Sequence, residues 1–76
     1  MEHKCKIKLN KTNEVVEFVN SAEKCDFDID VFYNRIIIDA KSILGVLSLD
    51  LSSVLTVRYG GKDPAFESTL KKYCVA

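Results

Sequence analysis

The feature that most constrains this chain is a hydrophobic pattern that switches repeatedly between the period of a strand and the period of a helix. In residues 4–9 apolar side chains alternate with lysines, which predicts a half-buried strand. A polar break follows, and apolar residues then recur at helical spacing, which predicts a helix over residues 12–24. Such elements must pack their apolar faces together, so the pattern indicates a layered domain of helices and sheet.

The rest of the chain continues this alternation. The remaining predicted elements are strands at residues 27–33 and 36–40, a short helix at 43–47, a strand at 54–59 and a final helix that begins at Pro64. Asn34-Arg35 stands where a two-residue turn joins the second and third strands. The order strand, helix, strand, strand, helix, strand, helix favours a two-layer α+β sandwich.

Length and charge limit what such a domain does. The 76 residues suffice for one hydrophobic core and not for two, so we expect residues 1–76 to form a single domain. Eleven basic and 11 acidic residues give a net charge of zero, so no overall field favours nucleic acid or an anionic membrane. No apolar run approaches the roughly 20 residues of a membrane helix, and the first residues do not resemble a signal peptide. We therefore expect a cytoplasmic monomer with no nucleic-acid partner and no membrane insertion.

The number and spacing of the cysteines do not indicate a disulfide framework. Cys5, Cys25 and Cys74 are odd in number and show no C-x-x-C spacing, so a disulfide scaffold or a zinc site is disfavoured. His3, the one histidine, supplies with Cys5 two ligands, which are too few for a metal site. We expect free thiols and neither a metal nor a cofactor.

The most specific signal is the segment KSILGVLSL at residues 41–49. It resembles the second-helix signature K-S-I-M-G-V-M-S-L of HPr, the phosphocarrier of the bacterial sugar phosphotransferase system. Leu44 and Leu47 replace two methionines, an exchange that conserves volume. Further matches, which extend the resemblance over nearly the whole chain, are Ala22-x-Lys24, Tyr33-Asn34 and Gly61-x-Asp63. The resemblance implies the HPr open-faced β-sandwich, a four-stranded antiparallel sheet covered on one face by three helices.

The same resemblance places the functional site of the family at the start of the first helix. In the family motif G-I-H-A-R-P-A, the histidine carries the phosphoryl group and the arginine neutralises its oxygens. The ungapped match puts Lys11 at the histidine, Asn13 at the arginine and Glu14 at the proline. A lysine is protonated near neutral pH, and Glu14 adds a repulsive charge. The match predicts a degenerate site that has lost phosphocarrier activity and a chain that is not an enzyme.

An active phosphocarrier is the alternative, and it requires another nucleophile. His3 is a candidate, although it precedes the first strand and also fits a solvated side chain. A degenerate site without phosphocarrier activity and an active phosphocarrier therefore both stay open as hypotheses at this point.

Ser42 aligns with the serine that a dedicated kinase phosphorylates in many Gram-positive members to regulate carbon catabolite repression. A phosphate at the start of a helix would meet free backbone N–H groups, and Lys41 would add a charged contact. Ser42 is also a typical N-cap residue, which stabilises a helix by about 1 kcal/mol, and this is the role that we favour. The resemblance therefore implies a regulatory phosphorylation candidate that also suits a purely structural role.

Three of the apolar residues that follow Ser42 are candidates for contact with partners, namely Ile43, Leu44 and Leu47. In the family this helix docks against partner enzymes and a transcriptional regulator, so the resemblance implies partners among proteins of the phosphotransferase or carbon-regulation system. Core packing is the competing explanation for at least one of the three, because so short a helix must bury something. A third hypothesis is a stand-alone structural domain on which this surface is no longer used.

Overall fold

The computed structural model describes residues 2–75, and its seven elements follow the predicted order. Their bounds are β1 (His3–Ile7), α1 (Thr12–Glu23), β2 (Ile29–Tyr33), β3 (Ile36–Asp39), α2 (Ile43–Leu47), β4 (Leu55–Tyr59) and α3 (Pro64–Tyr73). The α+β class predicted from the hydrophobic periods is confirmed.

The four strands form one antiparallel sheet in the order β1-β4-β2-β3. In the centre, Val57 of β4 lies between Cys5 of β1 and Val31 of β2. The predicted turn between β2 and β3 is confirmed at Asn34-Arg35. Asn34 adopts a φ of 54°, a left-handed conformation that asparagine tolerates better than most residues.

Alternation along the strands gives the sheet one apolar and one polar face. On β1, Ile7 is fully buried while Lys4 and Lys6 are exposed, as the period of two predicts. The helices cover the apolar face with residues at helical spacing, which are Val15, Phe18, Val19 and Ala22 of α1 and Phe66 and Leu70 of α3. The Phe18 and Phe66 rings lie 6.2 Å apart between their centroids, so the two helices meet over the core.

The length of β4 explains why β1 and β2 are shorter than predicted. β4 begins at Leu55, the partner of Ile7, so residues 8–9 have no neighbouring strand there and β1 ends. β4 ends at Tyr59, the partner of Ile29, so β2 begins at Ile29 rather than at residue 27. Leu9 nevertheless remains fully buried, so the apolar face continues beyond the strand.

Both ends of α3 are fixed by side chains. Asp63 is the N-cap, as predicted, and its Oδ1 accepts a hydrogen bond from the backbone N–H of Phe66 at 3.1 Å. Near the other end, Lys72 Nζ lies 2.5 Å from Glu17 Oε2 of α1, and the Tyr73 hydroxyl donates to the same carboxylate. These contacts join α3 to α1.

No helix within residues 2–75 has the length and apolar character needed to cross a membrane.

Candidate functional site

The start of α1, where the resemblance places the phosphoryl-carrying site, is a surface turn. Lys11 is the N-cap residue, with an extended backbone at φ −131° and ψ 154°. The side chains of Lys11 and Asn13 are both exposed. Val15 and Phe18, which follow on the inner face of α1, are fully buried and fix the position of this turn. The structure therefore brings Lys11 and Asn13 together on one accessible helix end.

Glu14 completes the cap that a lysine side chain cannot provide, because an ammonium group has no acceptor. Its Oε1 accepts hydrogen bonds from the backbone N–H groups of Asn10 at 2.7 Å and Lys11 at 3.3 Å. A carboxylate in the first turn also interacts favourably with the helix dipole. The sequence comparison predicts only a repulsive charge at Glu14, whereas the structure shows that this carboxylate also caps α1. An acidic residue at the third helical position was the signal that could have revealed it.

Asn13 also lines a shallow groove of about 480 Å³ between α1 and α3. The groove continues past Val16, whose side chain is partly exposed, to Lys24 and Thr69. Glu17 also lines the groove, and hydrogen bonds from Lys72 and Tyr73 hold its pKa below the usual range.

His3 lies at the other end of β1 from Lys11. Its ring packs against Tyr59, with 5.1 Å between the ring centroids. The structure therefore does not bring His3 to the α1 turn as a substitute nucleophile. Within residues 2–75, no group of three or more His, Cys, Asp or Glu side chains is placed to hold a metal ion.

Ser42 is the N-cap residue of α2. Its Oγ accepts a hydrogen bond from the backbone N–H of Gly45 at 3.1 Å, and the side chain is exposed. Lys41 Nζ donates to the backbone carbonyl of Cys25 at 2.9 Å, which holds this ammonium at the end of α1. The contact between Lys41 and a phosphate on Ser42 stays a prediction, because this ammonium has further N–H groups to donate.

Three residues of α2 were predicted to contact partners, and their exposure differs. The side chain of Leu44 is 79% exposed and that of Leu47 is 38% exposed. Ile43 is partly buried and packs against the core, and Val46 is fully buried. Gly45 allows α2 to approach β3 closely, because a Cβ at this position would lie 2.7 Å from Ile38 Cγ2. Packing thus orients α2 with Leu44 towards solvent.

Comparison with known proteins identifies the fold. A crystal structure of phosphocarrier protein HPr from Bacillus anthracis str. Ames superposes with a TM-score of 0.71 at 23% identity, covering 96% of this chain and 95% of that chain. The structure of HPr-C-His from Thermoanaerobacter tengcongensis gives a TM-score of 0.74 at 26% identity, with 95% and 92% covered. No protein-family model matches the sequence, and no curated protein matches it. The chain has the HPr-like fold, as the segment at residues 41–49 predicted.

Proposed function

We propose that this protein is an HPr-like interaction protein, related to the sugar phosphotransferase system, that does not carry phosphoryl groups. The observation that carries the proposal is the composition of the α1 turn. Lys11 and Asn13 occupy the exposed positions there, and the Glu14 carboxylate accepts backbone N–H groups at the same helix end.

Phosphoryl transfer to a side chain requires a nucleophile with a free lone pair and positive charge for the phosphoryl oxygens. A protonated lysine has no lone pair to donate, and the amide of Asn13 is neutral. The Glu14 carboxylate lies within hydrogen-bonding distance of the Lys11 backbone, so it would repel an incoming phosphoryl group. Each of these features opposes the carrier reaction by a separate physical effect.

A protein-binding role is favoured by α2. Leu44 is the most exposed of the large apolar residues described, and Leu47 lies nearly one turn further along the same helix. Burying a leucine of this exposure stabilises a complex by about 2 kcal/mol. We infer that Leu44 and Leu47 contact the partner, while Ile43 packs against the core and holds α2 in position. The partners we propose are proteins of the phosphotransferase or carbon-regulation system.

The test is the affinity of the purified protein for the first enzyme of the phosphotransferase system, measured by titration calorimetry. We expect binding that Leu44→Ser weakens at least tenfold. Val54→Ser is the matched control, because Val54 is also partly exposed but lies outside α2, and it should leave the affinity unchanged. Equal effects of both substitutions would contradict a docking role for α2. Absence of binding would favour the stand-alone structural domain.

Ser42 is in addition our candidate for regulatory phosphorylation. Its exposed hydroxyl at the start of α2 is accessible to a kinase. The kinase that modifies the corresponding serine of HPr proteins should label the natural chain and the Ser48→Ala control, and it should not label Ser42→Ala. Label that survives in Ser42→Ala would contradict this assignment.

A further inference from the structure

The fold brings two of the three cysteines into contact. Cys5 lies on β1 and Cys74 directly follows α3, 69 residues later. The Cys5 thiol donates to Cys74 Sγ, and the two sulfur atoms are 3.1 Å apart. Both are free thiols, with Cys5 half-buried and Cys74 exposed. Nothing in the proposed docking or regulatory role uses this pair.

Backbone hydrogen bonds hold the two thiols in this arrangement. The Lys8 N–H donates to the Tyr73 carbonyl at 3.0 Å, and the Val75 N–H donates to the Lys6 carbonyl at 2.8 Å. These bonds pair Cys74 with Ile7 in an antiparallel bridge at the outer edge of β1. Cys5 and Ile7 are two residues apart on one strand and share a face, so Cys74 lies diagonally opposite Cys5.

The approach needed for a covalent bond is small. A disulfide places its sulfur atoms about 2.05 Å apart, so the pair must close by roughly 1 Å. Cys74 has an extended backbone at φ −65° and ψ 132°, outside the hydrogen-bonded helix. Its side chain can therefore shift towards Cys5 without breaking a turn of α3.

We propose that Cys5 and Cys74 are a site of reversible disulfide formation that takes a low-molecular-weight disulfide as its oxidant. In the first step the Cys74 thiolate attacks one sulfur of the oxidant, which gives a mixed disulfide on Cys74 and releases one thiol. In the second step the Cys5 thiolate attacks Cys74 Sγ and expels the second thiol. Two protein thiols are oxidised, and the oxidant is reduced to two thiols. The two protons that the protein thiols lose are taken up by the two leaving thiolates.

The environments of the two thiols support this order. Exposure makes Cys74 the accessible group for the first attack. Burial, followed by the hydrogen bond and charge of Cys74, raises the pKa of the Cys5 thiol to about 11. Cys5 is therefore the weaker nucleophile in the first step. Once Cys74 is held in a mixed disulfide, it no longer carries the charge that opposes ionisation of Cys5, and the Cys5 thiolate can attack the adjacent sulfur.

The bond would tie the segment after α3 to the edge of the sheet. It would enclose nearly the whole chain in one covalent loop, and a long loop constrains the unfolded state most strongly. The oxidised protein should therefore unfold at a higher temperature than the reduced protein. Cys25 offers an internal control, because it is buried at the end of α1 with its Sγ 3.7 Å from Asp63 Oδ2.

The test treats the reduced, folded protein with oxidised glutathione and follows intact mass and the thermal midpoint. We expect the natural chain to lose two hydrogens without a retained glutathione, peptide mapping to join Cys5 with Cys74, and Tm to rise by at least about 5 °C. A reducing agent should reverse both changes. Cys25→Ala should behave as the natural chain does.

Variants of the pair separate this proposal from simple surface oxidation. Cys5→Ser should stop at a stable glutathione adduct on Cys74, since the resolving thiol is absent. Circular dichroism of each reduced variant establishes that it is folded before oxidation. A stable glutathione adduct on the natural chain, a link between two chains, or an internal bond that involves Cys25 would each overturn the proposal.

Discussion

A close contact at Gly61 gives the sharpest test of the packing described. A Cβ built on Gly61 would lie 2.0, 2.4 and 2.5 Å from three ring atoms of Phe27, whereas ordinary contact begins at 3.4 Å. The Phe27 ring cannot retreat freely, because it packs against the core and stacks on Tyr59 with 6.2 Å between centroids. Overpacking of this kind costs about 2 kcal/mol. Gly61→Ala should therefore lower Tm by roughly 10 °C in a domain of this size.

The neighbouring glycine provides a matched control. A Cβ on Gly60 meets no atom within 4 Å, and neither glycine has a positive φ. Gly60→Ala should be neutral or stabilise by about 0.5 kcal/mol, because alanine restricts the unfolded chain. Urea unfolding followed by far-ultraviolet circular dichroism suits a chain that contains no tryptophan. Equal stabilities of Gly60→Ala and Gly61→Ala would refute the reasoning.

A second substitution identifies the atoms responsible. In a Phe27→Ala background the ring is gone, so Gly61→Ala should lose most of its cost. The coupling free energy from this double-mutant cycle should be about 2 kcal/mol. A cost that persists without the ring would show that backbone strain, rather than contact with Phe27, opposes a side chain at position 61.

Three further predictions concern caps, charges and the packing of α2. Ser42→Ala should cost about 1 kcal/mol in urea unfolding and Ser42→Gly only a few tenths, since Oγ caps α2; equal stability of the natural and alanine proteins would contradict the cap. The hydrogen bond to Glu17, followed by burial, raises the pKa of Tyr73 to about 12. The stability that this hydrogen bond contributes is therefore complete below pH about 10 and is lost as pH rises through about 12. Phenolate absorbance should show that Tyr73 ionises at a lower pH in Glu17→Gln than in the natural chain. An unchanged titration would exclude Glu17 as the cause of the raised pKa. Gly45→Ala should stabilise the protein by about 1 kcal/mol in an Ile38→Ala background, where helix propensity acts and the contact at 2.7 Å is absent. In the natural chain the gain in stability should be smaller. Equal gains in the two backgrounds would show that contact with Ile38 does not oppose the substitution.

Local pattern was sufficient for much of the fold. Periodicity identified the elements and the buried face of α1, and residue chemistry identified the Asp63 cap and the Asn34-Arg35 turn. Strand ends were less accurate, because β1 and β2 extend only as far as β4 offers partners. That limit depends on which strands become neighbours, which the pattern within one strand does not contain.

The candidate sites depend on contacts between distant residues, and these were harder to foresee. The side chain of Lys41 is held by the carbonyl of Cys25, an arrangement that requires the α1 and α2 positions to be known. Five helical residues define too little of a face to separate exposed Leu44 from partly buried Ile43. Cysteine spacing likewise gave no sign that Cys5 and Cys74 meet, because the sheet edge brings them together.

The most direct test of the central claim is phosphoryl transfer from phosphoenolpyruvate by the first enzyme of the phosphotransferase system, followed by intact mass. We predict no phosphoryl group on the natural chain. A variant that combines Lys11→His, Asn13→Arg and Glu14→Pro should accept one, which would establish that the fold permits the reaction and that these three residues prevent it. Phosphorylation of the natural chain, especially if His3→Ala abolishes it, would contradict the loss of phosphocarrier activity.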